Sequence, residues 1–148
     1  MAQISTAQSK FGGASLLLDG TGDYLTIADS NDWDFPSDFT VELWFRTSVP
    51  SQNGTPSLRE YFNGYIDEFR VTKGRGRYVA NFTPPATAYV DNGPITNDVF
   101  FENNVLLLHC DGTNGSTTFT DIKGHAVVVN GNAQISTAQS SLVERVYY

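Results

Sequence analysis

Residues 39–46 read FTVELWFR. Strict alternation sets Phe39, Val41, Leu43 and Phe45 on one face of an extended strand, and Thr40, Glu42, Trp44 and Arg46 on the other. The apolar set is expected to face a core. Working outward, the same kind of short run recurs at 15–18 (SLLL), 23–28 (DYLTIA), 64–72 (GYIDEFRVT), 104–110 (NVLLLHC) and 125–129 (HAVVV). The stretches between them, among them DGTGD, FPSD, KGRGR, DNGP, DGTNGS and NGN, carry the Gly, Pro, Asn and Asp that tight reversals need. No stretch shows a convincing helical repeat, so the pattern predicts an all-β, antiparallel fold. In 64–72, Ile66, Glu68 and Arg70 alternate with Asp67, Phe69 and Val71. If this strand neighbours 39–46, Glu42, Arg46, Glu68 and Arg70 are placed for cross-strand ion pairs, of the exposed kind worth ~0–1 kcal/mol.

The chain's 148 residues suit one domain, 1–148, and its 40% hydrophobic content is enough for a packed core. A formal charge of −7 repels phosphate backbones and anionic lipid surfaces, which argues against nucleic acid and membrane partners. There is no apolar run long enough for a membrane helix and no signal-peptide pattern. Cys110 is the single cysteine, so an intrachain disulfide and a cysteine-based zinc cluster are excluded; in VLLLHCDG it reads as a small buried hydrophobe.

One feature of the sequence has no counterpart in an ordinary domain. The octapeptide AQISTAQS occurs twice, as Ala2–Ser9 and as Ala133–Ser140, 131 residues apart. Each copy is expected to form a weak strand. Joining Ser140 to Lys10 gives a smooth text, NVLLLHC through AQISTAQS into KFGGASLLLDG, as in one period of a repeat cut at another point. Met1, the single methionine, directly precedes the first copy.

The rejoined text resembles the laminin-G-like jelly-roll domains of the concanavalin A-like lectin and glucanase superfamily, in the tandem form of phage tail fibres and other surface proteins. The likeness is carried by KFGGASLLLDGTGDYLTI, with Gly13, Leu17, Asp19, Gly20 and Tyr24, and by DFTVELWFR with Trp44. It is carried further by GYIDEFRVTKGRGRYVANFTPP, with Ile66 to Val71, Arg77, Tyr78, Phe82, Pro84 and Pro85. The resemblance implies an antiparallel jelly-roll sandwich, circularly permuted, with a family-type start near residue 104 and a family-type end near 89. It also implies missing middle strands, since only residues 47–60 separate the Trp44 strand from the closing one. A shortened sandwich leaves strand edges to be covered, and both octapeptides are expected to suit one position beside SLLLDG. One is seated; the other is left free in solvent or takes the same position in a neighbouring molecule, and self-association through terminal strands is expected.

The superfamily's enzymes imply paired carboxylates in a Glu-x-Asp-x-x-Glu strand, whereas TVELWFR offers Glu42 alone, and adjacent Asp67 and Glu68 point to opposite faces of a strand. Neither His109 nor His125 lies near a nucleophile motif or has zinc-ligand spacing, so no enzyme is expected. Calcium is the cofactor the resemblance allows, with Asp19, Asp23, Asp32 and Asp34 as the candidate ligands among oxygen-rich turns that also hold Asp29, Asp38 and Asp111. DSNDWDFPSD is not an EF-hand, because Pro36 occupies a ligand position. For a glycan, Trp33, Tyr24, Tyr65 and Tyr78 are the candidate stacking rings, with Tyr61 nearby in sequence. Sequons at Asn53, Asn81 and Asn114 matter only along a eukaryotic secretory route. The expected function is lectin-like carbohydrate binding or adhesion on a virion or extracellular surface. The rival expectation is a self-assembly module, a strand-exchanged oligomer or fibre, without a ligand.

Overall fold

A computed structural model of the chain describes residues 9–47, 61–93 and 98–138 in full and residues 143–147 as backbone. Among these the fold is all-β. The strands are β1 (Ser15–Asp19), β2 (Tyr24–Ile27), β3 (Phe39–Thr47), β4 (Asn63–Lys73), β5 (Asn104–Leu108), β6 (Val127–Asn130), β7 (Gln134–Ser136) and β8 (Val143–Tyr147). Single 3-10 turns lie at Asn31–Trp33 and Phe101–Asn103. The six alternating runs all form strands, and the second octapeptide supplies β7. The strand expected in the first octapeptide lies outside the described residues. β8, in SLVERVYY, is an addition to the expected set.

Six strands make one antiparallel sheet in the order β7-β1-β4-β3-β8, and β2 and β6 form a separate ribbon. β5 also belongs to the large sheet, because β4 changes partner along one edge: its first half pairs with β1 (Leu16↔Ile66) and its second half with β5 (Phe69↔Leu108). The change comes at a β-bulge, where Glu68 and Phe69 of β4 face Leu43 alone and Glu68 takes a φ of 52°. Cys110, just past β5, also has a positive φ, 60°. Neither residue is glycine, so the fork stores backbone strain that the surrounding packing must hold.

The ribbon lies over one face of the sheet. Its Leu25, Ile27, Val127 and Val129 pack on Leu16 and Leu18 of β1, Leu106 and Leu108 of β5 and Ile135 of β7. Cys110 is buried in this core, and burial pushes its thiol up. Tyr24, Thr26, Val128 and Asn130 alternate to the outside of the ribbon.

The other face of the sheet is also buried, which corrects the assignment of β3. Thr40, Glu42 and Trp44 are the buried side of that strand, whereas Phe39 is 37% exposed and Val41, Leu43 and Phe45 are only partly buried. The reason is the chain after β4. Residues 74–93 and 98–103 bring Arg77, Tyr89, Asp98 and Phe101 inward, so the polar positions of β3 and β4 meet side chains rather than water. β5 serves both sides, with Leu106 and Leu108 in the main core and Leu107 packed with Tyr89 and Phe101. A strand covered on both faces reads as a continuous apolar run, as NVLLL does.

Candidate functional site: a strand slot beside β1

β7 is clasped from both sides. One edge pairs with β1 in the register Ser15↔Ser136, Leu16↔Ile135 and Leu17↔Gln134. On the other edge the Ile135 N–H donates to the Ser116 carbonyl at 2.7 Å, and the Gly115 N–H donates to the Ile135 carbonyl at 2.7 Å. The Thr137 N–H donates to Asn114 Oδ1 at 3.0 Å. Side chains fit as closely: Ala133 and Ile135 are fully buried, and Ser136 and Ala138 nearly so. Ile135 projects against Gly112, where a Cβ would lie 2.7 Å from its Cδ1, so a side chain there would force Ile135 to shift. Burying such an isoleucine contributes about 2 kcal/mol.

A polar corner delivers the chain into this slot. β6 ends at Asn130, and Gly131 turns with a φ of 71°, where a Cβ would fall 2.4 Å from Asp23 Oδ1. Asn132 then latches onto the β1–β2 turn: its N–H donates to Asp23 Oδ1 at 2.7 Å and its side-chain amide to Asp19 Oδ2 at 2.8 Å. The two carboxylates also hold the turn itself. Asp19 Oδ1 accepts from the Thr21 N–H at 2.8 Å, and Asp23 Oδ2 accepts from the Asp19 N–H at 2.8 Å. The Asn132 hydrogen bond, helped by those within the turn, holds the Asp19 carboxyl below its usual range.

At the other end of the slot, the segment leading into β1 is pinned to β4. Asp67 Oδ2 accepts from the N–H groups of Lys10 (2.7 Å) and Phe11 (3.1 Å), while Oδ1 has no partner among the described residues. Phe11 meets Trp44 edge-on, and the Lys10 ammonium lies 4.2 Å from the Trp44 ring centroid. Burial, with Glu68 and Asp111 adding repulsion, pushes Asp67 up to about 7 despite the two N–H donors. Beside it, His109 bridges Glu68 Oε1 (2.6 Å) and Asp91 Oδ1 (2.5 Å). The Glu68 hydrogen bond leads in raising His109 to about 9, against burial, so the imidazole is held as a cation.

The sheet's second face holds a charge network. Arg70 donates to Glu42 Oε2 through Nε (2.9 Å) and Nη2 (2.6 Å), and to Asp98 through Nη1 (3.1 Å). Arg77 grips Asp98 bidentately at 2.8 and 3.0 Å and donates to Asn104 Oδ1 at 2.6 Å and Thr72 Oγ1 at 2.5 Å. Burial works against the Asp98 charge, but the Arg77 hydrogen bond and charge outweigh it and keep the carboxyl below its usual range. The expected Glu42–Arg70 pair therefore forms, but buried rather than exposed. Arg46 and Glu68 do not join it: Glu68 serves His109 and the Tyr89 N–H, and Arg46 Nη1 has no partner among the described residues. Two cations and two carboxylates cancel, and every ion is held by hydrogen bonds, so the network pins the 74–103 segment to the sheet.

No protein-family model, curated protein or solved structure matches this chain.

The candidate glycan rings sit on four different elements. Trp33 donates its indole N–H to the Ala28 carbonyl at 2.9 Å and packs its ring 5.0 Å from that of His125. Tyr78 donates to Glu42 Oε1 and stacks on Phe82 with centroids 3.9 Å apart. Tyr65 lies within the sheet, opposite Leu17 and Arg46. Tyr24 is 51% exposed on the ribbon's outer face, and Tyr61 is exposed before β4. The candidate calcium ligands divide likewise. Asp19 and Asp23 commit their oxygens to N–H donors at the corner, whereas Asp32 pairs with His125 Nε2 at 3.1 Å, whose Nδ1 meets Asp121. Among the described residues, no three His, Cys, Asp or Glu side chains are grouped to hold a metal ion. Nor is any described helix long and apolar enough to cross a membrane. Asn132 was not among the expected site residues, although NGN marks the turn that presents it.

Proposed function

We propose that this chain is a non-catalytic, laminin-G-like β-sandwich whose function is to link copies of itself by exchanging one strand. The observation that carries the reading is the seating of Ala133–Ala138 beside β1. Every residue that fills that slot recurs, in order, in Ala2–Ala7. A slot that takes one copy accepts the other on the same contacts, so each chain carries one strand more than it has places for. The first copy reaches its own slot through a turn of seven residues, Gln8–Ala14, or that of a neighbour with no such tether. Cis and trans seating use equal contacts, so linkage gains ground as the local chain concentration nears the roughly millimolar effective concentration of a tethered strand. Head-to-tail exchange of this kind builds open chains or rings. Light scattering on a concentration series tests it: the mass rises in whole-chain multiples for the native sequence and stays at one chain for Ile4→Asp. Identical behaviour of the two at every concentration refutes it.

A second reading is glycan adhesion on a virion or extracellular surface. It is supported by the half-exposed Tyr24 ring, opposite Asn130 on the ribbon's outer face. Binding on a glycan array that Tyr24→Ala abolishes supports it; the absence of any bound glycan removes it.

A further inference from the structure

Resting on the reading that both octapeptides suit one slot, we propose that Asn132 is the residue that selects the second copy over the first. Positions 133–138 are matched residue for residue by 2–7, so nothing inside the slot distinguishes the two strands. The difference begins one residue earlier, where Asn132 precedes one copy and Met1 the other. Of the two bonds Asn132 makes at the corner, the main-chain donation to Asp23 Oδ1 needs no particular side chain. The second, from the side-chain amide to Asp19 Oδ2, needs an amide at this position, and a methionine side chain has no N–H to give. Its acceptor is an ionised carboxylate already fixed by the Thr21 N–H, so the bond is charge-assisted and costs little further ordering. The corner thus works as a latch: it is closed by the second copy and left half-made by the first copy, whether that copy comes from the same chain or another.

Hydrogen–deuterium exchange read by mass spectrometry on the whole chain tests this, because the flanking residues distinguish fragments of the two copies. Asn132→Met makes the two corners alike. The ratio of protection at Ile135–Thr137 to protection at Ile4–Thr6 is expected to fall toward the value that the two tethers alone set. Inserting an Asn between Met1 and Ala2 is the reciprocal change and leaves the folded corner untouched; the same ratio falls again, now by a gain at 2–7. An unchanged ratio in both chains overturns the proposal. If residues 2–7 stay unprotected in both, the shared-slot reading fails with it. If residues 2–7 gain protection equally with and without the added amide, the slot is shared but Asn132 does not select.

Discussion

Replacing Ile135 by alanine separates a slot with one strand from a slot with two. Ile135 is 1% exposed and packs into the core with Leu16, Leu108 and Phe119. In a core with no alternative, an isoleucine-to-alanine change of this kind costs about 3 kcal/mol. If the first copy seats as proposed, it brings an intact Ile4 to the same contacts, and the cost is capped at the difference between seating the two strands. That difference is the Asn132 side-chain hydrogen bond, a solvent-exposed contact, together with the unequal tethers of the two strands, and it is expected to be smaller than the loss of the isoleucine. Ile135→Ala is therefore expected to cost clearly less than about 3 kcal/mol, Ile4→Ala close to nothing, and the double variant about 3 kcal/mol or more. Urea unfolding at one low chain concentration, with equal slopes across the set, measures all three. If Ile135→Ala alone costs the full amount and the double variant costs no more, the first copy has no access to the slot and the reasoning fails.

The charged interior gives further expectations. Asp67 is raised from an ordinary 3.8 to about 7 by burial, so the folded chain binds its proton more tightly than the unfolded chain; stability then falls as pH rises from about 4 through 7. Asp67→Asn is expected to remove that slope and to stabilise the chain at pH 8 by on the order of 2 kcal/mol, as measured by urea midpoints across pH. His109 is raised from 6.5 to about 9, chiefly by Glu68, and its contribution is fully present below about 6.5 and lost as pH rises through 9. A histidine NMR titration should return a value near 9, and His109→Gln should flatten the stability profile in that window. Glu42→Ala leaves Arg70 buried beside Asp98 without its closest partner and is expected to cost about 3–5 kcal/mol in thermal or urea unfolding.

The strands were legible because short apolar runs, alternating as in FTVELWFR or continuous as in NVLLL, and broken by Gly, Pro, Asn and Asp, depend on neighbouring residues alone. The inward face of β3 was not legible. Trp44 and Glu42 are buried because Lys10, Phe11, Arg70 and Tyr78 close over them, and most of those contacts join residues about 30 apart or more. Alternation told which residues share a face, but not which face would be covered by the later chain. The bulge was equally hidden: Glu68 adopts a positive φ without being glycine, under the pull of His109 and the Tyr89 N–H. The carboxylates of DGTGD were read as cation ligands because oxygen-rich turns are also what a cation needs; here their oxygens are taken by Asn132 and by the turn's own N–H groups. The place of the second octapeptide was legible from its text, a weak strand expected beside SLLLDG, which is where β7 pairs with β1.

The most direct measurement follows the isoleucine methyl groups themselves. With Ile4 and Ile135 assigned by valine substitution, exchange spectroscopy on the whole chain reports where each methyl resides and whether it moves. The account predicts that both methyls visit the same buried environment, with populations that sum to one seat per chain and that shift toward Ile4 in Asn132→Met. A single buried signal for Ile135, with Ile4 in one solvent-like signal at every concentration and in that variant, contradicts it.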